Sequence, residues 1–156
     1  MLVLLSAVSV LYLRALRVCR HRGLRVPGWQ PAAWWGGLTL MAVALISPVD
    51  GLGEELLSAH MAQHLLIADL AVPLLLAGLR APVLLFYLPR AALVTLARRR
   101  TLRRVLAALS RPLVAIPVYI ITLYAWHLDF MFQAGVQSEL VHGLQHQSFI
   151  AISVLV

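Results

Sequence analysis

Five long apolar runs, separated by arginine-rich or turn-rich breaks, dominate this 156-residue chain. They extend from about Leu2 to Val18, Ala32 to Ser47, Leu56 to Leu79, Leu113 to Leu128 and Glu139 to Val156. A bilayer's hydrocarbon core is ~30 Å thick, and about 20 apolar residues of helix cross it. Hydrophobic residues make up 62% of the chain and charged residues 12%, whereas soluble domains carry about a quarter charged residues. A soluble fold of this length has too little interior to hide so much apolar surface. The expectation is an all-α, polytopic transmembrane helix bundle of about five helices. It forms a single domain over residues 1–156, with helices near 2–18, 32–47, 56–79, 113–128 and 139–156. Trp34 and Trp35, early in the second run, suit a headgroup belt. Residues 80–111 form an arginine-rich segment whose Pro82–Leu88 portion is apolar but too short to span, and reads as interfacial or re-entrant.

Charge placement orients the bundle. The chain carries a net charge of +7, which in a soluble protein would suggest nucleic acid. Here all the basic residues are arginines lying between apolar runs, so no nucleic-acid partner is expected. Arg14, Arg17, Arg20, Arg22 and Arg25 follow the first run. Arg80, Arg90, Arg98, Arg99, Arg100, Arg103, Arg104 and Arg111 follow the third, which accounts for all 13. The breaks after the second and fourth runs hold Asp50, Glu54, Glu55, Asp129 and Glu139 but no arginine. By the positive-inside rule, the N-terminus is outside and the arginine-rich segments, 80–111 included, are cytoplasmic. Topogenic charge is preferred here over specific contact with anionic lipid.

Processing and disulfide signals are sparse. Cys19 is the one cysteine, so no internal disulfide can form. The N-terminus begins apolar with no basic region before it, and no small-residue cleavage site follows. Residues 1–18 therefore read as a retained helix, not a removed signal.

With topology assigned, each histidine acquires a depth. His60 and His64 fall in the first turns of the third helix, His127 at the outer end of the fourth, and His142 and His146 in the first turns of the fifth. Five of the six histidines thus gather at the outer face. His21 is cytoplasmic and receives no role. His60/His64 and His142/His146 are i, i+4 pairs, each on one helix face about 6 Å apart along the axis. Imidazoles so spaced can share one metal ion, and polar groups in a bilayer usually turn toward the bundle interior. Zinc, copper, iron and nickel all accept imidazole. Met61 and Met131 lie at the same level and could supply soft ligands to cuprous copper, although methionine in an apolar helix is usually packing. Asp50, Glu54 and Glu55 could draw a cation to the outer mouth, against the simpler reading of solvated loop acids. Asp69 lies mid-helix, about 140° around from His64. It reads first as a protonated packing residue, with a partner on another helix or proton handling as alternatives.

Several of these motifs are together similar to one family. The segments 44–50 (ALISPVD), 58–66 (SAHMAQHLL) and 73–76 (PLLL), then Trp126-His127, 141–149 (VHGLQHQSF) and 11–14 (LYLR), resemble the CtaG-like multi-span assembly factors of caa(3)-type cytochrome c oxidases. The resemblance covers nearly the whole chain. It implies a non-enzymatic role in oxidase maturation in the bacterial plasma (inner) membrane, with copper bound or delivered at the outer face. Oxidase subunits and the lipid bilayer are the implied partners. It carries over His60, His64, His127, His142 and His146 as metal ligands, with Met61, Met131 and Asp50 as accessory candidates. Two departures stand out. Gln145 occupies a position where members often have glutamate, removing an acidic partner for the histidines. Members also run on through further helices, so the chain reads as a C-terminally short one. Zinc or haem in place of copper, a haem-binding cytochrome, and a metal-free scaffold for an oxidase are the competing readings.

Overall fold

The computed structural model describes residues 2–46 and 56–156. Asp50, Glu54 and Glu55 lie outside the described residues. Those described form an all-α structure, with no strand among them. Helix α1 spans Leu2–His21. It ends where Gly23 adopts φ 67°, so that Gly23 N–H donates to the Arg20 carbonyl at 3.1 Å and Leu24 N–H to that of Cys19 at 3.0 Å. This paired closure needs a left-handed residue, which glycine supplies without a Cβ penalty. Helix α2 spans Trp29–Ile46.

The third element is a helical rod in three parts: α3, Leu57–Leu65; a π-helical segment, Leu66–Ala71; and α4, Val72–Gly78. Pro73 explains the change of winding. It has no N–H to give the Asp69 carbonyl, and its ring crowds the preceding turn. Val72 N–H reaches back to Ile67 O, which leaves the Ala68 carbonyl without its α-helical donor. Ser153, from the last helix, donates its hydroxyl to that carbonyl. The local cost of the proline is thus offset by a contact between helices.

Helix α2 lies close against this rod because both carry glycine at the crossing. A Cβ on Gly78 would sit 2.7 Å from Trp34 Cβ, and one on Gly37 would sit 2.8 Å from the Ala71 carbonyl oxygen. Small residues allow such approach where burial of apolar surface supplies no drive. Gln63 adds a hydrogen bond from Nε2 to the Ala44 carbonyl at 2.8 Å. One buried cluster joins Tyr12, Ala15, Cys19, Trp34, Leu38 and Val83; the other joins Met41, Ala44, Ile67, Ala71 and Val72. Trp34 corrects the headgroup-belt expectation. It is buried, stacked on Tyr12 at 4.3 Å between centroids and met edge-on by Tyr87, while Trp35 alone of the pair is exposed.

Residues 80–111, read from the sequence as an arginine-rich segment with an interfacial or re-entrant Pro82–Leu88 portion, hold three helices: α5, Leu84–Tyr87; α6, Arg90–Arg98; and α7, Arg100–Leu109. In α7, Arg100, Arg103 and Arg104 share one face, and Leu102, Val105, Leu106 and Leu109 share another, each set at i, i+3, i+4 spacing. Helix α8, Pro112–Trp126, follows at a bend of 68°. A second correction concerns residues 129–138, read as a loop. They form α9, Asp129–Gln137, before α10, Glu139–Leu155.

One helix among the described residues, Ser58–Gly78 with 21 residues, is long and apolar enough to cross a membrane; α7 and α8 pass the same test only if taken together as one bent span. Helix α8 has 15 residues, below the ~17–25 of a transmembrane span, and α10 has 17, at the lower edge of that range. Arginines occupy the last turns of α1, and Gln30, Pro31 and three tryptophans, Trp29, Trp34 and Trp35, occupy the first turns of α2. Apolar side chains nevertheless cover the outer surface: Val3 is 84% exposed and Leu113 90%, with Leu65, Leu70, Ile121 and Leu140 also exposed.

Candidate metal centre

Four histidines converge from two helices. On α3, His60 and His64 follow one another by a turn, as the i, i+4 spacing requires. Their Nε2 atoms face each other at 2.8 Å. On α10, His142 and His146 also lie one turn apart, with ring centroids 4.4 Å apart and planes inclined by 51°. The two pairs meet. His60 stacks on His142 at 5.0 Å with planes inclined by 20°, and His64 approaches His146 at 5.0 Å and His142 at 6.1 Å. His60, His64 and His142 each present a ring nitrogen such that all three lie within 4.8 Å of one another. The i, i+4 spacing was legible in the sequence. Its facing partner was an inference from the cost of polar groups in a bilayer, and the packing agrees with it.

The second helix is held in register by groups that the sequence reading passed over. Phe149 is buried against His64, ring centroids 4.8 Å apart, and Phe132 of α9 approaches His60 at 6.0 Å. Trp126 donates its indole N–H to Ser148 Oγ at 2.7 Å, and Ser148 in turn donates to the Gln145 carbonyl. That chain ties the end of α8 to the middle of α10. Gln145 is buried beneath Gly135. An aromatic or hydroxyl residue on a helical stripe gives no signal that sets it apart from ordinary packing, so none of these could be singled out beforehand.

The donor set fits a small cation. His60 and His64 are buried. His64 Nδ1 and His142 Nε2 are buried without a hydrogen-bond partner among the described residues. Such nitrogens are costly unless something engages them. Neutral imidazole is a good ligand for the borderline metals zinc and copper.

The remaining candidates fall elsewhere. His127 caps the end of α8, apart from the four-ring cluster. Its Nδ1 meets the Leu123 carbonyl at 2.5 Å and its Nε2 lies 3.2 Å from Met61 Sδ. Met131 is exposed on α9. Asp50 lies outside the described residues. His21 ends α1, and Cys19 is buried in the core with Tyr12. Asp69 sits on the π-helical segment and accepts a hydrogen bond from Tyr119 of α8 at 2.6 Å. It therefore has a partner on another helix, one of the alternatives raised for it. The two residues border a cavity of about 290 Å³ with Pro73 and Ser153.

Comparison with the curated proteins and with the solved structures returned no match. Comparison with family models did: the family described as cytochrome c oxidase caa3 assembly factor (Caa3_CtaG) matches residues 10–156. That span takes in both histidine pairs, His127 and the π-helical segment, and the chain belongs to the cytochrome c oxidase caa3 assembly factor family.

Proposed function

We propose that this chain is a multi-pass membrane assembly factor that binds copper through a histidine cluster and passes it to a cytochrome c oxidase. The single observation that carries the metal reading is the meeting of His60/His64 with His142/His146. These four side chains would hold the ion, and copper is cargo in this reading, not a catalytic group. When bound, it is what the oxidase acquires. The protein's own work is to orient four neutral imidazoles, to seal one side with Phe149 and Phe132, and to fix α10 through Trp126 and Ser148. No catalysis is assigned.

Membrane placement rests on the apolar outer surface, on the Ser58–Gly78 span and on the family. The arginine distribution supports five crossings of the bacterial plasma membrane with the N-terminus outside. The cluster then lies near the outer face. A small ion is favoured over haem because stacked rings 5.0 Å apart leave no room for a macrocycle between them. The oxidase subunits are the partners in this reading.

The test is made in cells. A strain lacking the protein should make the oxidase polypeptide, but the isolated oxidase should be short of copper and low in activity. Added copper should restore part of that activity, and added zinc should not. A normal copper content in the oxidase from that strain would rule out copper delivery.

A further inference from the structure

We propose that α7 is an interfacial helix whose Arg100, Arg103 and Arg104 bind the phosphate of an anionic phospholipid on the cytoplasmic side. The inference rests on the membrane placement proposed above and is independent of the metal. The three arginines share one face of α7 and, with Ala107, line a cavity of about 440 Å³. Residues 80–111 contain no aspartate or glutamate to pair with them. Like charges at i, i+3 and i, i+4 destabilise a helix, so this face calls for an anion. Each guanidinium offers five N–H donors in a planar fork that matches phosphate oxygens. Arg103 is held back toward α6, where its Nη1 donates to the Ala97 carbonyl at 3.4 Å.

The opposite face selects the anion. Leu102, Val105, Leu106 and Leu109 are 36–49% exposed and are centred about 180° from the arginines at 100° per residue. Free phosphate or nucleic acid would engage the arginines and leave this apolar stripe in water. A phospholipid leaflet engages both faces. The apolar side chains sink toward the acyl chains while the arginines reach the headgroups, which are anionic in the cytoplasmic leaflet. Orientation agrees. Helix α8 leaves α7 at 68°, so when α8 crosses the bilayer, α7 lies nearer the membrane plane than its normal. Every residue of α7 is exposed, and it packs against α6 and α8, its neighbours in the chain, so the described fold leaves it open to lipid. The sequence alone favoured a topogenic role for these arginines, and α7 gives three of them a second use.

The test uses the full chain reconstituted in vesicles of phosphatidylcholine, with or without phosphatidylglycerol. Cys19→Ser leaves a single introduced cysteine to carry a spin label. At Leu106→Cys the label should be open to oxygen and shielded from a water-soluble nickel chelate, and at Ala107→Cys the reverse. The purified chain should retain phosphatidylglycerol over phosphatidylcholine through detergent washing, and inorganic phosphate should not displace it. In Arg100→Gln/Arg103→Gln/Arg104→Gln the affinity for phosphatidylglycerol should fall by about 100-fold, at about fivefold per arginine beside an anionic surface. Arg80, Arg90, Arg98, Arg99 and Arg111 remain to orient the segment. A label at position 106 that is open to the nickel chelate, or closed to both reagents because protein covers it, overturns the site. Equal retention of the two lipids, or release of phosphatidylglycerol by inorganic phosphate, does the same. A chain that leaves the vesicles in alkaline carbonate contradicts the membrane placement itself, and the site with it.

Discussion

The imidazoles of His60 and His142 lie face to face, 5.0 Å between centroids, although they stand on helices separated by more than half the chain. A metal binds imidazole only through a deprotonated ring nitrogen. Acidification should therefore release bound metal, because protons compete for the ligand nitrogens, and raising the pH should restore it. Metal content after dialysis at stepped pH reads this directly. Content that does not change with pH would separate the metal from the imidazoles.

The glycine crossing between α2 and α4 sets a stability test. Gly78→Ala places a methyl group 2.7 Å from Trp34 Cβ and 2.9 Å from its backbone. The helices must separate, at a cost of about 1–3 kcal/mol. Gly143→Ala on α10 meets nothing within 4 Å, so helix propensity alone should stabilise it by about 0.5–1 kcal/mol. Thermal unfolding of the two variants in detergent should move in opposite directions. A neutral Gly78→Ala would mean that α2 and α4 do not pack this closely.

The topology proposed from the arginine distribution is open to a reporter experiment. A fusion after Arg100 should read cytoplasmic, and one within residues 129–138 external. Since 129–138 is helical in part, an insertion after Gln137 disturbs α9 least. Exchanged labels would place the histidine cluster on the inner side and defeat delivery at the outer face.

Much of this arrangement was legible in the sequence because it depends on spacing. The i, i+4 histidines had to share a face on each helix, and the five apolar runs bracket the long helices to within a few residues. What spacing does not encode is which way a face turns. Trp34 and Trp35 read alike as interfacial aromatics, yet Gly78 opens a space that only Trp34 fills. The π-helical winding needs Pro73, visible in the sequence, and also Ser153, 80 residues further on, to satisfy the carbonyl that is freed. Helix α9 carries no arginine stripe and includes Gly135, so it resembled a loop. His127 was grouped with the other histidines by depth and by the Trp126-His127 motif. The rotation that turns it toward Met61 comes from its Nδ1 contact with Leu123, which no periodicity reveals.

The most direct test of the central claim is metal content per chain in the purified wild type, His64→Ala, His146→Ala and the double variant, measured after identical copper loading. Both single variants should lose metal, and the double variant should lose little more than either, because residues that share one partner are non-additive. Circular dichroism should confirm that the helices remain. Losses that add in full would mean two independent sites, and undiminished metal in all three variants would contradict a shared histidine centre.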